Sequence, residues 1–80
     1  MPDEAFDARE LGLAIRRLRR SRDMTQGELA SWLNVSRQTV VSLEQGGPVA
    51  VTVVMRAVGL LGAKVVVAPK DSLLVERAVR

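Results

Sequence analysis

The chain has 80 residues, 48% of them apolar, with twelve basic and nine acidic side chains and a formal charge of +3. It contains no cysteine, histidine or tyrosine, which excludes disulfides and the usual zinc ligand sets and removes the commonest general base. A chain of this length buries only about 60% of its unfolded surface, so it makes one small, marginally stable domain that self-association would help.

No apolar run approaches the ~20 residues of a membrane span, and no signal-peptide pattern opens the chain, so a cytoplasmic protein without a membrane partner is expected. There is no glycine-rich phosphate loop and no catalytic set, and neither enzymatic activity nor a cofactor or metal is expected. The charge is unevenly spread. Asp3, Glu4, Asp7 and Glu10 lie in the first ten positions, while Arg16, Arg17, Arg19, Arg20 and Arg22 form a basic block. Such a block favours a polyanionic partner.

Residues 1–7 read as a flexible start, with Asp7 placed to cap a first helix from about Ala8 to Ser21. Ala8, Leu11, Ile15 and Leu18 follow the helical period. Arg9, Arg16 and Arg20 project roughly opposite that stripe. A solvated face is the reading for Arg9 and Arg16, whereas Arg17, Arg20 and Arg22 lie nearer the next element, where occasional phosphate contact is reasonable. Asp23-Met24 forms a link, with Met24 tucked beneath it.

Thr25–Gly46 reads as two short helices around a tight turn, the form of a DNA-reading helix-turn-helix. The first runs from about Gln26 to Leu33, opened by a capping box of Thr25 and Glu28, with Leu29, Ala30 and Leu33 on one face. Ala30 must be small so that the second helix can approach. Asn34 takes the turn with positive φ, and Val35 plugs the angle between the helices. Ser36 caps the second helix, from about Arg37 to Gln45. Val40 and Leu43 face inward, and Gly46 closes the helix in the left-handed conformation. Trp32 falls off the inward face, and partial packing against a neighbouring segment is weighed above an anchor for a protein partner.

Gly47-Pro48-Val49-Ala50-Val51 reads as a loop before a helix from about Thr52 to Leu61, with Thr52 as cap and Val54, Met55, Val58 and Leu61 toward the core. After Gly62 the period changes. Ala63–Ala68 is rich in β-branched residues and stops at Pro69, as a strand does. A single strand in a helical chain leaves its backbone groups unpaired, and the same strand of a second copy would satisfy them through Val65, Val66 and Val67; a tail packed on its own domain is the alternative. Asp71–Arg80 reads as a short helix or a tail that folds on a partner.

Gln26, Ala30, Val35, Val40, Leu43 and Glu44-Gln45-Gly46 give the chain its resemblance to the Cro/cI-like, or XRE-type, helix-turn-helix family. That resemblance implies a mainly α, lambda-repressor-like domain of four to five helices over residues 8–62, which the dimerisation strand read over 63–70 and the tail read over 71–80 would follow. It implies that Arg37, Gln38, Thr39 and Ser42 project into the major groove, with Arg37 suited to guanine, Gln38 to adenine and Val41 to a thymine methyl. Gln26 would bind phosphate, and Ser36 belongs to the same DNA-facing set. It also implies a structural bridge from Arg19 to Glu44. The family's loop before the fourth helix is often basic; here it is not, so phosphate contacts there would fall to backbone N–H groups.

The compact domain followed by one strand further resembles the HipB-type antitoxins. What this implies is a homodimeric repressor on an inverted-repeat operator in double-stranded DNA, associated with the nucleoid, and a HipA-type kinase toxin as partner. A stand-alone or phage-type regulator and a protein-interaction module that has lost DNA binding are the alternatives, and Arg37 and Gln38 argue against the last.

Overall fold

In the computed structural model, which describes residues 4, 5 and 7–69, four helices follow one another: α1 (Ala8–Ser21), α2 (Gln26–Leu33), α3 (Arg37–Gln45) and α4 (Val51–Leu60). The starts of the first three are fixed by side chains that satisfy orphan first-turn N–H groups. The Asp7 carboxylate accepts from the Glu10 N–H at 2.8 Å. Thr25 Oγ1 accepts from the Glu28 N–H at 3.0 Å while Glu28 Oε1 accepts from the Thr25 N–H at 2.9 Å, a complete capping box. Those bonds from Thr25 hold the exposed Glu28 carboxyl below its usual pKa. Ser36 Oγ accepts from the Thr39 N–H at 3.1 Å.

The ends share one device. Asp23, Asn34, Gly46 and Gly62 take positive φ of 53°, 57°, 78° and 78°. After each, the next N–H turns back five residues: Met24 to the Arg19 carbonyl, Val35 to Ala30, Gly47 to Ser42 and Ala63 to Val58, at 2.8–3.2 Å. This is the Schellman closure, and it satisfies carbonyls that an abrupt helix end would orphan. Asp and Asn tolerate the left-handed region better than most side chains, so the first two helices end without glycine.

Ile15, Leu29, Ala30, Leu33, Val40, Leu43, Ala57, Val58 and Leu61 form the core, with Leu11, Leu18, Met24, Val35, Val49, Val53, Val54 and Ala63 packed around it. The closest approach is between α1 and α3. A methyl group at Gly12 would lie 2.5 Å from the Leu43 carbonyl oxygen and 2.6 Å from that of Glu44, so the two backbones touch there. No helix of the described residues is long and apolar enough to cross a membrane.

Several expectations are corrected. Ala8 is exposed rather than part of the inward stripe. Helix α4 begins at Val51, because the Ala50 carbonyl already accepts from the N–H groups of Val53 and Val54 at 3.0 and 3.2 Å. Thr52 therefore sits inside the helix and does not cap it, and no side-chain cap is present. Met55 is 50% exposed, since Val54, Ala57, Val58 and Leu61 set an inward arc whose edge it lies beyond. Residues 63–69 form neither helix nor strand, and Val65, Val66 and Val67 are exposed. A ladder needs a partner, and the described part of one chain offers none. The architecture is thus mainly α with four helices, and no strand lies among the described residues. The reading of 71–80 lies outside the described residues.

The backbone contact at Gly12 sets a direct test. Gly12→Ala should destabilise the domain by about 1–3 kcal/mol, the usual range for overpacking a tight contact. Gly59→Ala, in α4 with no atom within 4 Å of the added methyl, should be neutral or stabilising by up to about 1 kcal/mol. Urea unfolding of both variants checks the contrast.

Candidate nucleic-acid interface

The interface is built outward from a buried ion pair. Arg19 is 7% and Glu44 5% exposed, and they meet in a two-armed contact: Arg19 Nε donates to Glu44 Oε2 at 2.6 Å and Nη2 to Oε1 at 3.1 Å. The remaining arm of the guanidinium, Nη1, donates to the Met24 carbonyl at 2.7 Å. The charges are desolvated, so their partners must be close and complete. No buried side-chain polar atom of the described residues lacks a hydrogen-bond partner.

From this pair a chain of hydrogen bonds runs to the surface. Gln26 Nε2 donates to Glu44 Oε1 at 3.1 Å. With its amide thus oriented, Gln26 turns its carbonyl outward, where Oε1 accepts from Arg37 Nη2 at 3.3 Å. The last turn of α1, the first residue of α2 and both ends of α3 are therefore linked. Around the link lies a concavity of about 460 Å³ lined by Arg16, Arg19, Arg20, Thr25, Gln26, Gly27 and Arg37. Four arginines border it.

The residues read as DNA-facing occupy distinct places. Ser36 and Thr39 are engaged with each other: beyond the cap itself, their hydroxyls lie 2.9 Å apart in a hydrogen bond. Ser42 is half-buried, its Oγ pressed against Gly47, where a methyl group would sit 2.5 Å away. Arg37 and Gln38 are exposed. Only Arg37 of that pair is tethered; Gln38 has no hydrogen bond to a described residue and is the free amide on this end of α3. Val41 is half-buried. Gln26 is half-buried and tied into the link rather than pointing freely outward.

Among the other arginines, Arg16 is exposed, as expected of a solvated face, and it also lines the concavity together with Arg20. Arg22, by contrast, lays its guanidinium against Gly62 beyond α4, away from the place first assigned to it. In the loop before α4, the Gly47 N–H is spent on the Ser42 carbonyl at 2.8 Å and Pro48 has none, leaving Val49, Ala50, Val51 and Thr52 as donors. Trp32, read as partly packed, is 67% exposed.

Sequence reasoning paired Arg19 with Glu44 but missed the two further bonds that carry the pair out to Arg37. No spacing rule marks them, since they join residues eighteen and eleven positions apart.

A family model described as a helix-turn-helix domain matches residues 10–69, a span that covers nearly all of the four helices. No curated protein matches the chain.

The ion pair predicts a non-additive mutant series. Arg19→Met or Glu44→Leu alone should cost about 3–5 kcal/mol, because each leaves an uncompensated buried charge. The double variant should recover much of that loss in thermal or urea unfolding. If instead the two single losses add, the pair is not the coupled unit described.

Proposed function

We propose that this chain, which belongs to the helix-turn-helix domain family, is a DNA-binding regulator, a sequence-specific transcriptional repressor reading double-stranded DNA with α3. The observation that carries this reading is Gln38. Its side chain is exposed at the N-terminal end of α3 and makes no hydrogen bond to a described residue, whereas Ser36 and Thr39 are engaged in the cap. A free amide there can exchange two hydrogen bonds with adenine N6 and N7 in the major groove, discriminating by about 1–3 kcal/mol. Ser42 and Val41 border the same surface, and the arginines of the concavity supply the phosphate attraction that dominates affinity. The protein acts without catalysis or cofactor, in the cytoplasm at the nucleoid.

One such unit reads few base pairs, so the repressor acts as a homodimer on an inverted repeat, with half-site centres ~34 Å or a multiple apart. The exposed run Val65, Val66 and Val67 supports pairing with the same segment of a second copy, which would satisfy backbone groups that one chain leaves open. Selection of preferred duplexes from a randomised library checks the reading. Wild type should enrich an inverted repeat, and Gln38→Ala should flatten its preference at one position per half-site. Enrichment of no sequence would remove the regulator reading.

A narrower reading makes the protein the autoregulating antitoxin of a toxin–antitoxin pair, with a HipA-type kinase as its partner. It is favoured by the 67% exposed Trp32, a side chain of the kind that anchors protein interfaces. Co-expression with a kinase encoded beside it should give a complex that Trp32→Ala weakens, together with binding to the DNA upstream of its own gene. A kinase that copurifies with neither form would leave the stand-alone regulator.

A further inference from the structure

The direction of Arg37 carries a consequence for how affinity and specificity are divided, and it rests on the DNA-binding reading above. Arg37 occupies the first position of α3, from which a long side chain can reach either the groove or the neighbouring helix. In this structure it takes the second course. Its Nη2 donates to Gln26 Oε1 at 3.3 Å, and the side chain joins Arg16 and Arg20 in lining the concavity of about 460 Å³ beside the start of α2.

The electrostatics of that concavity are unbalanced. Its fourth arginine, Arg19, is neutralised by Glu44. Arg16 and Arg20 make no side-chain hydrogen bond or ion pair to a described residue, and Arg37 has only the neutral Gln26 carbonyl. Three exposed arginines bordering one concavity give it a positive potential that favours an anion. A phosphodiester fits that need: it carries one negative charge and presents two oxygens to which arginines donate in forked geometry. A guanine edge offers two acceptors but no charge to match that potential.

The geometry points to Arg37 as the third arm of a clamp, with Arg16 and Arg20, on a single backbone phosphate of DNA, and not as a reader of guanine. Gln26 is the positioning residue of this clamp. Its amide is oriented by Glu44, so its carbonyl turns Arg37 back from the groove toward the concavity. Discrimination between base pairs at this end of α3 then rests on Gln38.

The test uses the full chain and the duplex it prefers from a randomised library, together with that duplex altered at each base pair in turn. Arg37→Ala should weaken binding by roughly tenfold on every duplex alike, as loss of a charge-assisted hydrogen bond does. The slope of log affinity against log salt should become shallower, and by about 0.9, one phosphate's share, once Arg16, Arg20 and Arg37 are all replaced by alanine. Arg37→Lys should keep the sequence preference and most of the affinity, since a point charge still serves a phosphate but cannot reproduce a forked contact to guanine. The Arg16→Ala/Arg20→Ala double variant should behave as Arg37→Ala does, with a steeper loss. A duplex carrying an uncharged methylphosphonate at the clamped phosphate should bind wild type and Arg37→Ala equally, which separates DNA phosphate from a free anion in the buffer. Unfolding curves of the variants should match wild type, because Arg16, Arg20 and Arg37 are exposed.

If Arg37→Ala or Arg37→Lys abolishes preference for guanine at one position, the clamp assignment falls while the DNA-binding reading stands. Binding of wild type to no duplex overturns both. An Arg37→Ala protein that retains wild-type affinity and salt slope on all duplexes overturns the clamp alone.

Discussion

The arrangement depends on the Arg19–Glu44 pair more than on any single apolar contact. Both charges are removed from water, and a pair of this kind contributes little net stability because desolvation offsets its attraction. What it contributes is a fixed geometry. Arg19 spends its three donating nitrogens on two carboxylate oxygens and the Met24 carbonyl, which locks the end of α1, the link to α2 and the last turn of α3 into one relative placement. The pair can be this short only because α1 and α3 approach backbone to backbone at Gly12. A larger residue there would lift Arg19 away from Glu44, so a packing constraint and an electrostatic one are the same constraint seen from two sides.

Around that fixed point the helices are short, from 8 to 14 residues, too short to be stable alone. Their ends are correspondingly well specified. Three begin with a side-chain cap, and all four finish with a left-handed residue and a five-residue return bond. Such ends do not add much stability each, but they determine where a helix stops and in what direction the chain leaves. In a domain whose reading surface lies at the junction of α2 and α3, that direction is the functional quantity. Asn34 illustrates it: one residue in the left-handed region, followed by the Val35 return bond to Ala30, sets the path along which the chain enters α3.

These ends explain what was legible in the sequence. Capping and left-handed closure are encoded within a few consecutive residues, so α1, α2 and α3 fall where Asp7, Thr25, Ser36, Asn34 and Gly46 place them. Helix α4 has no such opening signal at Ala50, and Thr52 drew the start one residue too late. The valine-rich run after Gly62 expresses a propensity for extended structure, but a strand exists only when a ladder partner is present, and propensity does not supply one. The direction of Arg37 was illegible for a related reason. At the level of sequence it is simply the first residue of a reading helix. Which way it turns depends on Gln26, whose own orientation depends on Glu44, which is held by a helix that begins far earlier in the chain.

The same dependence divides the surface into parts that differ in how freely they can change. Gln26, Arg19 and Glu44 share hydrogen bonds, so a substitution at one leaves a buried or half-buried partner unsatisfied, and the penalty is paid in folding as well as in binding. Ser36 and Thr39 are bound to the start of α3 in the same sense. The Gln38 side chain makes no hydrogen bond to a described residue. A substitution there alters what α3 offers to a base edge without disturbing a cap, a core contact or the ion pair. In the proposed reading the scaffold therefore separates recognition from stability at the level of single side chains: the placement of α3 is fixed by residues that cannot vary independently, and base reading would fall to a residue that can.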